Sequence, residues 1–383
     1  MMKKVPKRRF KGFLNAGDWE QRKLEGLCDL FTDGDWIESK DQCGSGVRLI
    51  QTGNIGVTEY LDKPDNKKWI SDETFNQLHC KEVFPGDILI SRLPEPAGRA
   101  CIIPHLGTKM ITAVDCTIVR TSTNTTASFL VQYLSSQPYF NEVNKCLAGG
   151  TRQRISRSAL AEFKVLVPSE KAEQDIIGKV FDKFDILITI HQRKLEKLQA
   201  TKKALLYELF PIENSRRPKR RFKGFTGDWE QRKFKDIAFK RGKISEADLP
   251  YVEFEDINSG IGTLNKNILQ KVGHKKGILF EAGDVLFGKL RPYLQNWLLC
   301  QFMGIAVGDF WVFQPQIVSS AFLYYLIQSE AYQSVVNISS GTKMPRSSWS
   351  LVSETHFSIP KYKEATMIGE FLTSIDKNIT LHQ

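Results

Sequence analysis

The amino-acid sequence predicts a mixed α/β fold in which one structural unit occurs twice and each copy is followed by a long helix. The first observation is a repeat: PKRRFKGF at residues 6–13 returns unchanged at 218–225, and GDWEQRK at 17–23 returns at 227–233. The second is a proline-free run over 170–210 whose apolar residues recur with heptad spacing. Heptads sustained over several repeats are typical of a long helix with a coiled-coil seam.

The repeat continues more faintly beyond these blocks. Residues 28–82 and 238–279, at equivalent places in the two copies, share almost nothing. The two copies are identical at their ends and unlike in between. This indicates one common scaffold that carries two different recognition surfaces. The fainter correspondences are GDIL at 86–89 with GDVL at 283–286, residues 128–140 with 321–333, residues 149–156 with 340–347, and ITIHQ at 188–192 with ITLHQ at 379–383.

Each element follows from its own pattern. Residues 127–146 and 320–337 have the periodicity of helices with one apolar face. The helix over 170–210 would be on the order of 60 Å long. The second copy begins the same helix but lacks about twenty residues of it, which we interpret as truncation. Short alternating runs predict strands at 47–57, 86–92 and 116–121 in the first copy, and at 249–257, 283–290 and 306–313 in the second.

The repeat therefore predicts four consecutive regions. Residues 1–168 form the first domain, 169–212 a long spacer helix, 213–360 the second domain and 361–383 the short second spacer helix. The two domains should be built alike, because their shared segments occur in the same order.

Composition narrows the class of partner. The 54 Lys and Arg residues against 43 Asp and Glu give a net charge of +11, which predicts a polyanionic partner, nucleic acid or a membrane surface. The sequence contains no run of about 18 apolar residues, so no transmembrane helix is predicted. The basic start is not followed by the apolar stretch of a secretory signal. Seven cysteines without a CxxC pair favour reduced thiols in a cytoplasmic protein.

Motifs of catalysis are missing from the sequence. It contains neither the N-P-P-[FY] motif of adenine methyltransferases nor the phosphate-binding G-x-x-x-x-G-K-[ST] loop. The segment PDNKK at 64–68 is interpreted as a turn rather than a nuclease motif. The six histidines lack the spacing of metal ligands, although His191 and His382 occupy equivalent seam positions. We expect no catalytic residue and no metal; the open alternative is a nuclease or methyltransferase whose motif is not recognised.

These features together resemble the specificity subunit of type I restriction–modification systems, in the form found in Gram-positive bacteria. The resemblance covers essentially the whole chain and rests on RFKGF…GDWEQRK at 9–23 and 221–233, the Gly-Thr loops at 150–154 and 341–343, and the helix at 176–210. It implies two target-recognition domains, joined by long antiparallel coiled-coil-like helices. Each domain would read one half of a bipartite DNA target, and the helices would set the gap.

The resemblance also implies partners. They are double-stranded DNA, two methylation subunits and restriction–translocation subunits, with no membrane partner. S-adenosylmethionine, ATP and Mg²⁺ would then belong to the partner subunits, and this chain would hold no cofactor. Two other interpretations stay open: a stand-alone DNA-binding regulator, and a repeat-built protein adaptor without DNA specificity.

Candidate DNA contacts lie in three places of each copy. Cations neutralise phosphates, whereas planar bidentate groups read base edges in the major groove. Cations identical in both copies cannot carry different sequence preferences and suit phosphate contact or docking; the alternative is a solvated entry segment. For the loops after the helices, the alternative is a C-cap turn with exposed cations. The candidates are Thr151, Arg152, Gln153, Arg154, Thr342, Lys343 and Arg346 after the helices; Arg92, Arg99, Lys289 and Arg291 after the Gly-Asp strands; and Arg8, Arg9, Arg220 and Arg221 in the basic segments.

Candidate docking residues lie on the long helix. The short second helix is expected to leave part of the first seam unpaired, so that a partner helix could bind there. Trp19 and Trp229 are grouped with the docking residues because an aromatic shared by both copies suits anchoring better than base reading. The seam residues are Leu195, Leu198, Leu205 and Leu209.

Overall fold

The computed structural model describes residues 6–149, 153–212, 215–340 and 344–382, without the side chains of residues 339 and 340. The chain divides into two compact units, residues 1–189 (unit 1) and 190–383 (unit 2). The mixed α/β prediction is confirmed, with both strands and helices in each unit. In the part of the chain that the structure describes, no helix is both long and apolar enough to cross a membrane.

Unit 1 is built from short strands followed by helices. Its helices before the long one are α1 (Asp72–Gln77), α2 (Ala127–Tyr133), α3 (Gln137–Lys145) and α4 (Arg157–Ala161). Its strands are β1 (Glu20–Lys23), β2 (Cys28–Asp33), β3 (Gln42–Cys43), β4 (Val47–Ile50), β5 (Lys68–Ile70), β6 (Ile88–Ser91), β7 (Ala100–Ile102), β8 (Met110–Thr112), β9 (Cys116–Thr121) and β10 (Lys164–Val167).

The strands of unit 1 form two four-stranded sheets and one two-stranded ribbon. One sheet has the order β2-β9-β6-β7 and is antiparallel, and the other has the order β3-β5-β4-β8. Only β4 and β8 pair in parallel within the second sheet. The ribbon joins β1, from the repeated GDWEQRK segment, to β10. Helices α2, α3 and α4 pack with the first sheet in one apolar core.

Unit 2 begins within the long helix α5 (Lys171–Leu209), whose first residues belong to unit 1. Its helices are α6 (Phe234–Ile237), α7 (Ser320–Leu326), α8 (Glu330–Val336), α9 (Trp349–Glu354) and α10 (Tyr362–Leu381). Its strands are β11 (Glu230–Lys233), β12 (Ala238–Arg241), β13 (Ile244–Ser245), β14 (Asp248–Val252), β15 (Ile257–Asn258), β16 (Thr263–Leu264), β17 (Val272–His274), β18 (Gly277–Phe280), β19 (Val285–Gly288), β20 (Trp297–Leu299), β21 (Gly304–Ala306), β22 (Phe310–Pro315), β23 (Ser339–Ser340), β24 (Arg346–Ser347) and β25 (His356–Ile359).

The two units share the order of their antiparallel sheet and a parallel strand pair in the second sheet, but their second sheets differ in the number and order of strands. Unit 2 has an antiparallel sheet β12-β22-β19-β20 and a second sheet β13-β18-β21-β14-β17, in which β14 and β21 are parallel. The ribbon β11–β25 repeats β1–β10 in the same register. Residues 28–82 and 238–279 therefore build some equivalent strands, such as β2 and β12 or β4 and β14, from unlike residues. Packing of alternating apolar side chains defines these strands, and many different sequences satisfy it.

The repeated Gly-Asp words form the same turn in both units. Gly86 and Gly283 have φ values of 95° and 91°, in the left-handed region that glycine adopts without steric cost. The Asp87 carboxylate accepts the backbone N–H of Phe84 at 2.8 Å, which closes the turn before β6. Asp284 does the same at the start of β19. The Gly-Asp motif was recognisable in both copies because this turn requires the glycine conformation and the aspartate hydrogen bond.

Each apolar helix predicted from periodicity is in fact a pair of helices. The segment 127–146 divides into α2 and α3, and the segment 320–337 into α7 and α8. The Ser136 hydroxyl accepts the Tyr139 N–H and caps α3, whose first turn contains proline. Ser329 caps α8 in the same way. Serine caps are a strong local signal for a new helix start, and they override the continuous apolar period.

The long helices approach the rest of their units through glycines. A side chain at Gly178 of α5 would overlap Ser128, and its Cβ would lie 2.9 Å from the backbone nitrogen of Phe129. Gly369 stands at the equivalent place in α10, where a Cβ would lie 2.7 Å from the backbone nitrogen of Phe322. Only glycine allows this approach of α5 to α2 and of α10 to α7.

The second half of α5 packs antiparallel to α10 within unit 2. Lys202 pairs with Asp376 at 2.8 Å, whereas His191 lies against His382, so sequence positions run in opposite directions along the two helices. The apolar residues of α10 join the core formed by α7, α8 and the sheet β12-β22-β19-β20.

Candidate nucleic-acid interface

Two loops of unit 2 that the sequence predicts as DNA contacts meet at one carboxylate. Asp309 precedes β22 and pairs with Arg346 at 2.9 Å and with Lys289 at 3.5 Å. The backbone N–H of Lys289 donates to the Asp309 carbonyl, and the N–H of Ser347 donates to the Lys289 carbonyl. The loop after β19 and the loop after α8 are thus held side by side. Arg346 keeps more than half of its side chain exposed.

Unit 1 has a similar backbone arrangement around Asp115, but its two cations lie beyond hydrogen-bond distance of the carboxylate. Arg154 lies 3.7 Å from the Asp115 carboxylate, and Arg92 lies 3.9 Å from it. The Arg92 N–H donates to the Asp115 carbonyl, and the Ile155 N–H donates to the Arg92 carbonyl, which matches the backbone pattern of unit 2. The cation that faces solvent is Arg154, as Arg346 is in unit 2.

The charges around Asp309 set its protonation. Burial alone would raise the pKa of Asp309, but the hydrogen bond from Arg346 and the charges of Arg346 and Lys289 lower the pKa below its ordinary value. Asp309 therefore stays ionised at neutral pH and holds both cations in place. A charge-assisted pair of this kind orients the guanidinium and leaves its remaining N–H groups for a ligand.

Arg291 begins an unusual turn beside this cluster. Arg291 and Gln295 both have left-handed backbone conformations, with φ values of 49° and 58°, on either side of the 3₁₀ turn Pro292–Leu294. The Arg291 N–H donates to the Pro345 carbonyl at 2.7 Å, so this turn is fixed to the loop that carries Arg346. Such conformations in residues other than glycine are costly and concentrate at functional sites. Arg291 itself is exposed.

The remaining residues of the loops after α3 and α8 are distributed as follows. Gln153 is exposed next to Arg154. The candidates Thr151, Arg152, Thr342 and Lys343 lie outside the described residues.

Arg99 is a structural residue and not an exposed DNA contact. Its guanidinium is buried and donates to the backbone carbonyls of Ile55, Leu93, Pro96 and Thr52 at 2.7–2.9 Å. Burial lowers the pKa of Arg99 below its ordinary value. The prediction for this residue is corrected because all of its donors face inward.

Arg92 is likewise buried, with Nη2 donating to the Val114 carbonyl at 2.6 Å and Nε lying 3.5 Å from Asp33. It supports the Asp115 cluster from inside, and we no longer assign it a direct contact with DNA.

Replacing Arg99 by methionine is expected to lower the free energy of unfolding by about 2–3 kcal/mol, because buried carbonyls lose their donors. Urea denaturation followed by circular dichroism measures this change. The matched control is Arg154→Met in the same unit, where an exposed ion pair contributes less than about 1 kcal/mol. Equal stability losses in the two variants would contradict the structural role of Arg99.

The basic segments contain structural and exposed arginines side by side. Arg9 forms a double hydrogen bond with the buried carboxylate of Glu173, at 2.6 and 2.7 Å. Arg221 forms the same double bond with the buried Glu364, at 2.6 and 2.8 Å. These two arginines tie each repeated segment to the long helix that follows its domain, so their prediction as DNA contacts is corrected.

The neighbours of these arginines are more accessible. Arg8 is exposed. Arg220 is mostly exposed and pairs with Glu208 of α5. The exposed Arg8 can therefore contact a phosphate, as predicted. Arg220 would have to break its ion pair with Glu208 to do so.

The predicted docking leucines are covered within unit 2 itself rather than exposed to solvent. Leu205 and Leu209 are buried in the core that α10 and α7 form, and Leu195 and Leu198 pack against it. The expectation of an exposed seam at these leucines is corrected, because the chain itself supplies the apolar cover.

The repeated tryptophans also face inward. Trp229 is fully buried and packs edge-on against Phe322 at 6.1 Å between ring centroids. Trp19 is half-buried and packs edge-on against Phe129 at 6.0 Å. Trp229 is therefore not accessible to a partner.

The His191 and His382 side chains meet, with 3.1 Å between their Nδ1 atoms. Within the described ranges, no group of three or more His, Cys, Asp or Glu side chains is arranged to hold a metal ion. Burial, Lys194 and His191 lower the pKa of His382, which favours the neutral ring in this contact.

Sequence reasoning missed Asp115 and Asp309. Both follow an Ala-Val pair, as AVD at 113–115 and AVGD at 306–309, and both stand just before the last strand of a sheet. The occurrence of an Asp after Ala-Val, just before a strand in both copies, was the sequence signal that could have identified these two residues.

Comparison with known proteins identifies relatives for both units. The family model described as "Type I restriction modification DNA specificity domain" matches residues 16–200 and 226–383. A type I restriction enzyme specificity subunit, MjaVIII, from Methanocaldococcus jannaschii is 22% identical over 256 residues, 59% of this chain and 58% of that protein. A putative MjaX specificity subunit from the same organism is 23% identical over 224 residues, 56% of this chain and 51% of that protein. The matches thus span little more than half the length of these relatives.

Solved structures share the fold of the whole chain. The crystal structure of a type I restriction–modification S subunit from M. genitalium has a TM-score of 0.62 at 15% identity, covering 100% of this chain and 94% of that one. A chain from a study of assembly and conformational transition in a type I restriction–modification system has a TM-score of 0.50 at 12% identity, covering 95% and 91%. At these identities the likeness concerns the fold alone.

Proposed function

Because the chain belongs to the family of type I restriction modification DNA specificity domains, we propose that it is the sequence-specific DNA-binding subunit of a type I restriction–modification complex. Each unit reads one half of a bipartite duplex target, and the long helices set the distance between the halves. The relatives named above, which are specificity subunits, support this proposal.

One observation carries the division of labour between the units. Asp115 and Asp309 stand at equivalent places, and each holds a solvent-facing arginine between two loops. The supporting cations and the neighbouring side chains differ, with Arg92 and Gln153 in one unit and Lys289 in the other. A shared backbone arrangement with different side chains suits two domains that recognise different DNA sequences.

The chemistry of the cluster suits a base edge or a phosphate. Arg346 is hydrogen-bonded to Asp309, whereas Arg154 lies 3.7 Å from Asp115 without a hydrogen bond. Both arginines keep N–H donors for guanine O6 and N7, the commonest specific contact of arginine in the major groove. Arg8 and the exposed Arg291 supply charge for phosphate contacts, which fix register without carrying sequence information.

The chain itself is proposed to be non-catalytic and cytoplasmic. Two methylation subunits would bind it and modify the adenines that it presents, and restriction–translocation subunits would add cleavage. Methylation of a base inside a duplex requires that the base leave the stack, which is chemistry of the methylation subunit. S-adenosylmethionine, ATP and Mg²⁺ belong to those partners in this proposal.

Mapping of modified adenines tests the proposal in a host that lacks DNA methylation. One culture carries the methylation-subunit gene alone, and the other carries that gene together with this chain. We expect a split motif with a fixed gap only in the second culture. Methylation that is the same with and without this chain would contradict the proposal. Weak binding of the purified chain to DNA without sequence preference would favour a protein adaptor.

A further inference from the structure

A short turn between β19 and β20 of unit 2 presents two apolar side chains to solvent. Tyr293 and Leu294 stand at its tip and are 57% and 43% exposed, whereas Pro292 before them is buried. Scattered exposed apolar residues are ordinary on protein surfaces, so exposure alone assigns these two no role. The backbone of the turn and the charges around it distinguish them from other exposed apolar residues.

Both ends of this turn are held in a costly backbone conformation. Arg291 and Gln295 have φ values of 49° and 58°. Within the described part of unit 2, they are the only residues other than glycine with a positive φ. The Leu294 N–H donates to the Arg291 carbonyl at 2.9 Å, which closes the turn between them. Strain of this kind persists only where the surrounding structure enforces it, and it is typical of ligand-binding segments.

Neighbouring segments of unit 2 fix the turn from both sides. One end is joined to the loop after α8 through the Arg291 N–H. At the other end, the Gly260 N–H donates to the Gln295 carbonyl at 2.9 Å. The Ser259 hydroxyl donates to the buried side-chain carbonyl of Asn296 at 2.7 Å. The apolar tip is therefore preorganised, and little conformational entropy is lost when it contacts a ligand.

The charges beside the tip favour a polyanion as that ligand. Lys289 and Arg291 precede Tyr293 in the same connection, and an isolated β-bridge joins this connection to Arg346. These three cations outnumber Asp309, the carboxylate that pairs with two of them. Surplus positive charge attracts the phosphate backbone of DNA. An apolar tip among these cations would be placed against the edges of the bases.

We propose that Tyr293 and Leu294 contact the 5-methyl group of a thymine in the half-site that unit 2 reads. Thymine presents this methyl group in the major groove, where an apolar side chain distinguishes it from the other bases. Arg346 on the adjoining loop would read a guanine of the same half-site. The inference rests on the proposed function and adds apolar contact to hydrogen bonding as a second means of recognition.

Mapping of methylated adenines with Tyr293→Ala and the methylation subunit tests the role of the turn. We expect the motif to lose its preference at one A·T position, in the half that Arg346→Ala also affects. Tyr293→Phe keeps the ring and should keep the motif. The matched control is Tyr362→Ala. Tyr362 is 62% exposed in the first turn of α10, and its replacement should leave the motif unchanged.

Deoxyuridine in place of thymine removes the methyl group and leaves the protein unaltered. The complex of the chain and the methylation subunit is titrated with labelled duplexes of the mapped motif, in which the thymines of this half are replaced one at a time. We expect deoxyuridine at one position to weaken binding about fourfold, which corresponds to one buried methyl group. The double variant Tyr293→Ala/Leu294→Ala should bind the thymine and deoxyuridine duplexes equally.

Two results would overturn this inference alone. One is equal affinity of the wild-type complex for all of these duplexes. The other is a wild-type split motif that Tyr293→Ala leaves unchanged. Uniform loss of methylation in Tyr293→Ala without relaxation of any position would count as the second result, since the turn would then contact a protein partner. If the wild-type chain gives no split motif, the proposed function and this inference fail together.

Discussion

Replacing Arg9 by methionine is expected to lower the free energy of unfolding by about 3–5 kcal/mol, because the change leaves a buried carboxylate without its cation. Glu173 accepts two hydrogen bonds from Arg9, and the two side chains are only 1% and 7% exposed. Arg9 also donates to the Ala16 carbonyl at 2.8 Å, which would lose its donor. Chemical denaturation measures the difference.

The neighbouring Arg8→Met variant is the control. Arg8 is exposed, so its replacement should change stability by less than about 0.5 kcal/mol. The same variant should weaken DNA binding for all sequences alike, as loss of a phosphate contact does. Two variants of equal stability would mean that the Arg9–Glu173 pair does not hold the repeated segment to α5.

Replacing Gly178 by valine is expected to destabilise the chain by about 3 kcal/mol, because overpacking at a close contact forces the backbone apart. A Cβ at this position would lie 2.9 Å from the Phe129 nitrogen and closer still to the Ser128 hydroxyl. Helix propensity acts in the other direction, since glycine is the less favourable residue in a helix interior. A loss of stability on replacing a helical glycine therefore identifies the contact as its cause.

The control for this prediction is Lys179→Val, one residue further along the same helix. Lys179 is exposed, so only the propensity difference of up to about 0.7 kcal/mol should appear. If Gly178→Val is as stable as this control, α5 does not approach α2 as closely as described.

The scaffold was predictable because the repeat marks it. The Gly-Asp turns, the ribbon strands β1 and β11, and the helix over 171–209 all lie in segments that are shared or strongly periodic. The equivalent strands within residues 28–82 and 238–279 were not predictable. They are two to six residues long and have no common residues, so pattern alone could not align them.

The candidate site was predictable in its loops but not in its residue roles. Arg154 and Arg346 are exposed as expected, whereas Arg9, Arg99 and Arg221 face buried acceptors. From sequence alone, every Lys or Arg near a turn is interpreted as available for DNA contact. The buried acceptors that bind some of these side chains lie far away in the sequence and cannot be recognised. Glu173 is 164 residues from Arg9. The retained Arg–Glu combination in both copies was the signal for a structural pair.

The heptad pattern predicted an apolar seam but not its partner. Leu205 and Leu209 are buried in the core of unit 2, while Phe181 and Phe184 of the same seam are about half exposed. A repeat of apolar residues defines a face that needs cover. Which segment supplies that cover depends on tertiary packing, which the periodicity does not contain.

Mapping of methylated adenines with wild-type chain, Arg154→Ala and Arg346→Ala, each with the methylation subunit, tests whether the two units read separate half-sites. We expect Arg154→Ala to relax a base position in one half of the split motif and Arg346→Ala to relax one in the other half. Each loss of a bidentate base contact corresponds to about 1–3 kcal/mol of discrimination. If both variants alter the same half, or if neither changes the motif, the two Asp-held arginines are not the readers of separate half-sites.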